Sequence, residues 1–154
     1  MSGVQVNVSY FFQFPGLLKP LELLLTISAA AAAQLTTDDD VWGSGFLLLA
    51  TVGPLVTVVI LVFLLAFEIA DVINKRFSWC LVEVAHNSIW SVGLFLAVWV
   101  GVVAVVGGSF GHLFVTIVCL LGCVTFALDA FVFFKQWRQD ANPQANAAPA
   151  ESLP

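Results

Sequence analysis

The sequence predicts an all-α membrane protein, a four-helix transmembrane bundle with its N- and C-termini on the cytoplasmic side. Three observations predict it. Of 154 residues, 60% are apolar and 10% are charged, against roughly a quarter charged in soluble domains. The apolar residues gather into four runs, each reaching the about 20 residues that a ~30 Å hydrocarbon core requires. All five basic residues fall on one side of a four-span threading, as the positive-inside rule asks of cytoplasmic segments. A soluble fold of this length has too little interior for so many apolar side chains, and its surface would aggregate.

The spans are read at residues 17–35, 46–73, 81–106 and 110–134. In the first, the alanines at 29–33 form a small-residue face suited to close packing on a neighbouring helix. A cleaved signal peptide is the competing reading of that segment, since 23–27 resembles a short apolar core and 28–33 holds A-x-A patterns. Against it, no charge precedes Lys19 and Glu22 interrupts the apolar stretch. The second span carries Gly53-Pro54, which should kink or loosen one turn.

The breaks are polar. Thr36-Thr37-Asp38-Asp39-Asp40 and Asn74-Lys75-Arg76 cannot enter hydrocarbon, and Gly107-Gly108-Ser109 permits a tight reversal. Lys19 opens span one, Lys75 and Arg76 separate spans two and three, and Lys135 and Arg138 follow span four. The aspartate triplet falls on the opposite side. Tyr10, Phe11, Phe12, Trp42, Trp79 and Trp137 sit where an aromatic belt belongs. Residues 1–14 are read as a cytoplasmic interfacial segment, on which the Asn7-Val8-Ser9 sequon stays bare. Residues 15–138 form the four-span domain, and 139–154, rich in Ala, Pro, Asn and Gln, a disordered cytoplasmic tail.

The informative charges lie inside the spans. Glu22, Glu68, Glu83 and Asp129 each stand about four to six residues in from the cytoplasmic boundary, or ~6–9 Å at 1.5 Å per residue. Asp71 lies nearer the surface, within i,i+4 reach of Lys75, and Lys19 is three residues from Glu22. Intramembrane ionisable groups are costly and turn into the bundle. One reading is a structural polar clamp built from Lys19, Glu22, Glu68, Asp71, Glu83, His86, Asn87 and Asp129. The other is a proton or cation site, for which transporters use midplane groups lined by broken helices. The shallow depth favours the clamp, and no half of the chain repeats the other.

Other chemistry is thin. Glu83-Val84-Ala85-His86 spells the Glu-x-x-His of di-iron bundles. The only other histidine, His112, is expected a full span away, so no metal is expected. Cys119 and Cys123 read as small apolar residues. Cys80, beside Trp79 at the interface, is a candidate for palmitoylation, against the plainer reading of an interfacial small residue. Three cysteines, none in an outer loop, make no disulfide framework. No catalytic triad, Cys-His pair or phosphate loop is present, so neither catalysis nor a cofactor is expected. No basic patch interleaved with aromatics points to nucleic acid.

Three segments carry a family resemblance. Pro15-Gly16-Leu17-Leu18-Lys19-Pro20-Leu21-Glu22-Leu23-Leu24-Leu25 has an early glycine and a polar position in an opening helix. Ser78-Trp79-Cys80-Leu81-Val82-Glu83-Val84-Ala85-His86 is a Trp-containing loop leading into an acidic helix start. Asp129-Ala130-Phe131-Val132-Phe133-Phe134-Lys135-Gln136-Trp137-Arg138 is an aromatic helix end closed by a Trp-basic pair. In order, spacing and topology, over about residues 14–138, the chain resembles the MARVEL-domain tetraspan family. It is most similar to the myelin and lymphocyte protein and plasmolipin group, with the chemokine-like-factor MARVEL proteins as near relatives. The turn at 107–111 is shorter than in several members. A claudin would show an outer Trp-Cys-Cys pattern, and a large-loop tetraspanin an outer cysteine-bearing domain; neither is present.

The resemblance implies a non-enzymatic scaffold that organises lipids and partner membrane proteins in vesicle trafficking, apical sorting, myelin-like or junctional membranes. It implies residence in the plasma membrane or Golgi-endosomal vesicles, including raft-like domains. The partners expected are membrane lipids, other integral membrane proteins and further copies of the chain, with no soluble substrate. The alternative function is a small proton or cation transporter or channel using the acidic ring. Ala29, Ala33, Gly93, Gly101 and the Gly107-x-x-x-Gly111 pair are expected to permit close helix approach, some of it for self-association.

Overall fold

In hydrocarbon every backbone polar group has to be satisfied within its own segment, which leaves long apolar runs little choice but the α-helix. The computed structural model describes residues 16–36, 43–66 and 78–141. Among the described residues there are four helices: α1 (Leu18–Thr36), α2 (Ser44–Ala66), α3 (Trp79–Val106) and α4 (His112–Ala141). All four are long and apolar enough to cross a membrane. Among the described residues there is no strand.

α1 and α3 match the expected spans to within two residues at each end. α4 continues past residue 134 to Ala141, because Lys135, Gln136 and Arg138 are good helix formers and Arg138 in the last turn complements the helix C-terminus. Gln139, Asp140 and Ala141, assigned above to a disordered tail, are therefore helical; residues 142–154 lie outside the described residues. So do residues 67–73 of the second span, the N-terminal segment 1–14, the aspartate triplet, and Asn74-Lys75-Arg76. α2 runs unbroken through Pro54.

α3 passes into α4 by a turn that glycine makes possible. The Gly107 N–H bonds Val103 O, and Gly108 follows at φ +99°, a left-handed conformation that costs glycine little. Gly107 and Gly111 thus flank this turn and lie outside both helices, so their spacing does not make a helix-packing motif. Gly93 is also not an approach point, since the atom nearest its open side belongs to Trp90 of the same helix. Gly101 behaves as expected: a Cβ there would overlap Thr116 Oγ1 of α4.

The helices form a ring in which each packs on its chain neighbours and α1 closes onto α4. The α3–α4 interface is the most extensive and α2–α3 the lightest. On α2–α3, the Trp90 ring fills the space that a side chain on Gly53 would need. The interior combines small residues (Ala29, Ala33, Ala50, Ala97) with Leu47, Val58, Leu94, Val115, Cys119 and Phe126. Leu24, Phe63, Ile89, Trp99 and Phe131 are each more than half exposed on the outer walls. Such walls suit lipid contact; inside, packing and polar contacts supply the cohesion, because lipid tails are as apolar as leucine.

Candidate functional site

Helix periodicity selects the side chains that meet. Lys19 and Glu22 share a face of α1 at i,i+3, and Glu83 and Asn87 share a face of α3 at i,i+4. Asp129 projects from α4. These five side chains converge in the interior, and each has 0% exposed surface. Lys19 Nζ donates to Asp129 Oδ2 at 2.7 Å, Glu22 Oε2 at 3.1 Å and Asn87 Oδ1 at 3.4 Å. Glu83 Oε2 lies 2.7 Å from the same nitrogen, an ion contact without an aligned N–H. The Phe133 ring covers the ammonium at 5.8 Å.

The cluster continues into α2. Asn87 Nδ2 donates to Asp129 Oδ2 at 2.8 Å, which turns Asn87 Oδ1 toward Lys19 and His86. His86 Nδ1 stands 3.0 Å from that oxygen; two acceptors would repel, so Nδ1 carries the hydrogen. His86 Nε2 meets Thr57 Oγ1 at 3.0 Å. That hydroxyl also lies 3.1 Å from the Gly53 carbonyl, on the turn containing Pro54. Polar contacts thus join all four helices.

Taking these ions out of water carries a heavy desolvation cost, offset only when geometry and hydrogen bonding are good. Lys19 is well served. The carboxylates are less so: Glu22 Oε1 and Asp129 Oδ1 have no hydrogen-bond partner.

Of the residues singled out from the sequence, Lys19, Glu22, Glu83, His86, Asn87 and Asp129 come together here. Glu68 and Asp71 lie outside the described residues. Lys19, expected both to open the first span and to join the polar clamp, is buried within the bundle against Glu22, Glu83 and Asp129. The basic asymmetry therefore rests on the other four, of which Lys135 and Arg138 are exposed on α4 and Lys75 and Arg76 lie outside the described residues. Trp79, assigned to an aromatic belt, packs with Leu61, Leu64 and Leu65, and its indole N–H faces Glu83 one turn on. Cys80 is half-buried on the first turn of α3, and Cys119 is buried in α4. His112 is buried at the opposite end of the bundle.

Sequence reasoning missed Thr57, Ser91 and Phe133. Ser91 donates to Cys123 O at 3.1 Å and joins α3 to α4. A hydroxyl in an apolar helix usually bonds its own i−4 carbonyl, as Thr26, Thr51 and Thr116 do, so its presence gives little warning of a contact between helices. Chemically, the cluster can fix helices in register and can hold protons. Searches against family models, curated proteins and solved structures returned no match.

Proposed function

We propose that this chain is a non-enzymatic tetraspan membrane protein that organises lipids and partner membrane proteins by lateral association. Both termini face the cytoplasm, and the protein resides in the plasma membrane or Golgi-endosomal vesicles. Vesicle trafficking, apical sorting, and myelin-like or junctional membranes are the settings that its MARVEL-like motifs imply. The observation that carries the reading is the partition of polarity. The charged cluster is consumed in contacts between the protein's own helices, while the outward walls present Leu24, Phe63, Ile89, Trp99 and Phe131. Such walls recognise acyl chains and other transmembrane helices.

A tagged copy is expected to co-purify with other integral membrane proteins. Ala31, Ala85 and Ala127 are small and exposed on α1, α3 and α4. Replacing each by Phe should reduce that recovery, or redirect the protein, while leaving it folded. Unchanged location and partners in all three variants argue against the reading.

The second reading, a small proton or cation transporter or channel, is favoured by one observation: three carboxylates meet in a fully buried cluster. Proton or cation flux into liposomes that disappears in folded Glu22→Gln, with partners and location intact, would establish it instead.

A further inference from the structure

The cluster around Lys19 is short of positive charge. Three carboxylates surround one ammonium, and all four side chains have 0% exposure. Fully ionised, the group carries two uncompensated negative charges inside a bundle whose walls face lipid. Buried unpaired charge is among the most costly features a protein can hold.

The hydrogen count points the same way. An ammonium has three hydrogens, yet four oxygens lie within 3.4 Å of Lys19 Nζ. Glu83 Oε2 is the one left without an aligned hydrogen. Glu22 Oε1 and Asp129 Oδ1 also lack donors, although buried polar atoms are normally paired, and Glu83 has the Trp79 indole N–H facing it. The oxygens that do converge, Glu22 Oε2, Glu83 Oε2, Asp129 Oδ2 and Asn87 Oδ1, converge on the lysine nitrogen, and no group of described residues could hold a metal ion. What the cluster lacks is hydrogen, not a metal ion.

We infer that the Lys19 cluster is a proton-binding site holding two protons in the folded bundle at neutral pH. Asp129 accepts from both Lys19 and Asn87 through one oxygen, so it is the counter-ion of Lys19. The protons reside on Glu22 and Glu83, the two carboxylates to which Asn87 does not donate. The facing groups are Lys19 and Glu22 on α1, Trp79, Glu83, His86 and Asn87 on α3, and Asp129 and Phe133 on α4. α2 reaches the cluster through the neutral Thr57, and Glu68 and Asp71 lie outside the described residues. A neutral imidazole donates from Nδ1 to Asn87 and accepts at Nε2 when the single hydrogen of the Thr57 hydroxyl turns to it from the Gly53 carbonyl. The assignment does not depend on whether the outer walls recruit partners.

The test is infrared spectroscopy of the full chain in lipid nanodiscs at neutral pH, in light and heavy water. A protonated-carboxyl carbonyl band that shifts on deuteration is expected, with one component lost in Glu22→Gln and another in Glu83→Gln. Because glutamine mimics the protonated acid, each variant and the double variant should unfold near the wild-type temperature. Adding Asp129→Asn to the double variant strips Lys19 of its counter-ion and should collapse stability. Absence of the band in the wild type overturns the inference without any variant having to fold. Equal, additive losses for all three substitutions overturn it too, as does stability that tracks sodium or potassium, which assigns a metal cation in place of protons.

Discussion

At the end of the bundle where α1 and α3 begin, the helices are joined by charge: one lysine, three carboxylates and an asparagine, all fully buried. At the end where α3 turns into α4, they are joined by proximity. Gly101 leaves room for Thr116, Ala33 is buried on α1, and Gly111 comes close to Thr36. Neither end draws on the hydrophobic effect between helices, which lipid cancels. The difference lies in how each end fails. Contacts by proximity degrade in proportion to the atoms added, whereas a buried charge that loses its partner is left with its whole desolvation cost.

The largest expected effect breaks the charged end. Lys19→Met leaves the carboxylates without their cation and should cost about 3–5 kcal/mol, the range for removing one partner of a buried ion pair. Unfolding in mixed micelles measures it. A loss no larger than that from crowding the opposite end would erase the distinction between the two. That crowding is the next effect: Gly101→Ala should cost about 1–3 kcal/mol as overpacking. Thr116→Ala in the same chain should return part of it, which identifies the contact. The smallest effect concerns the link to α2. Thr57→Val removes the partner of His86 Nε2 and should cost ~0.6 kcal/mol, the average for polar contacts between membrane helices. A much larger loss would make α2 a full member of the charged end.

The four helices were legible because membrane thickness and backbone satisfaction leave few alternatives. Glu22, Glu83 and Asp129 were legible for a related reason: a carboxylate at that depth has to turn inward. Membership of Lys19 in the clamp was legible, but its complete burial was not. A lysine on the first turn of a span can reach the surface along its own stem or turn inward, and only the placement of α3 and α4 decides. Trp79 was misplaced by the same ambiguity, since a tryptophan at a span edge suits the interface or a buried polar partner equally well. The Gly107 and Gly111 spacing misled because a four-residue interval reads alike in a helix and across a turn. Gly93 misled because Trp90 of its own helix occupies the adjacent space. In each case composition fixes what a side chain can do, and its neighbours choose among the options.

The cluster also sets an order in time. Lys19 and Asp129 are 110 positions apart in the chain. At about 5–20 residues per second of synthesis, the acid follows the lysine by roughly 5–20 s. During that interval the first helix, the least apolar of the four, has Glu22 as its partner, and then Glu83 once the third helix emerges. Its charge is settled only when the last helix joins the ring. A chain cut short before Asp129 therefore keeps an exposed ionic seam within the membrane, a mark by which unfinished copies differ chemically from finished ones.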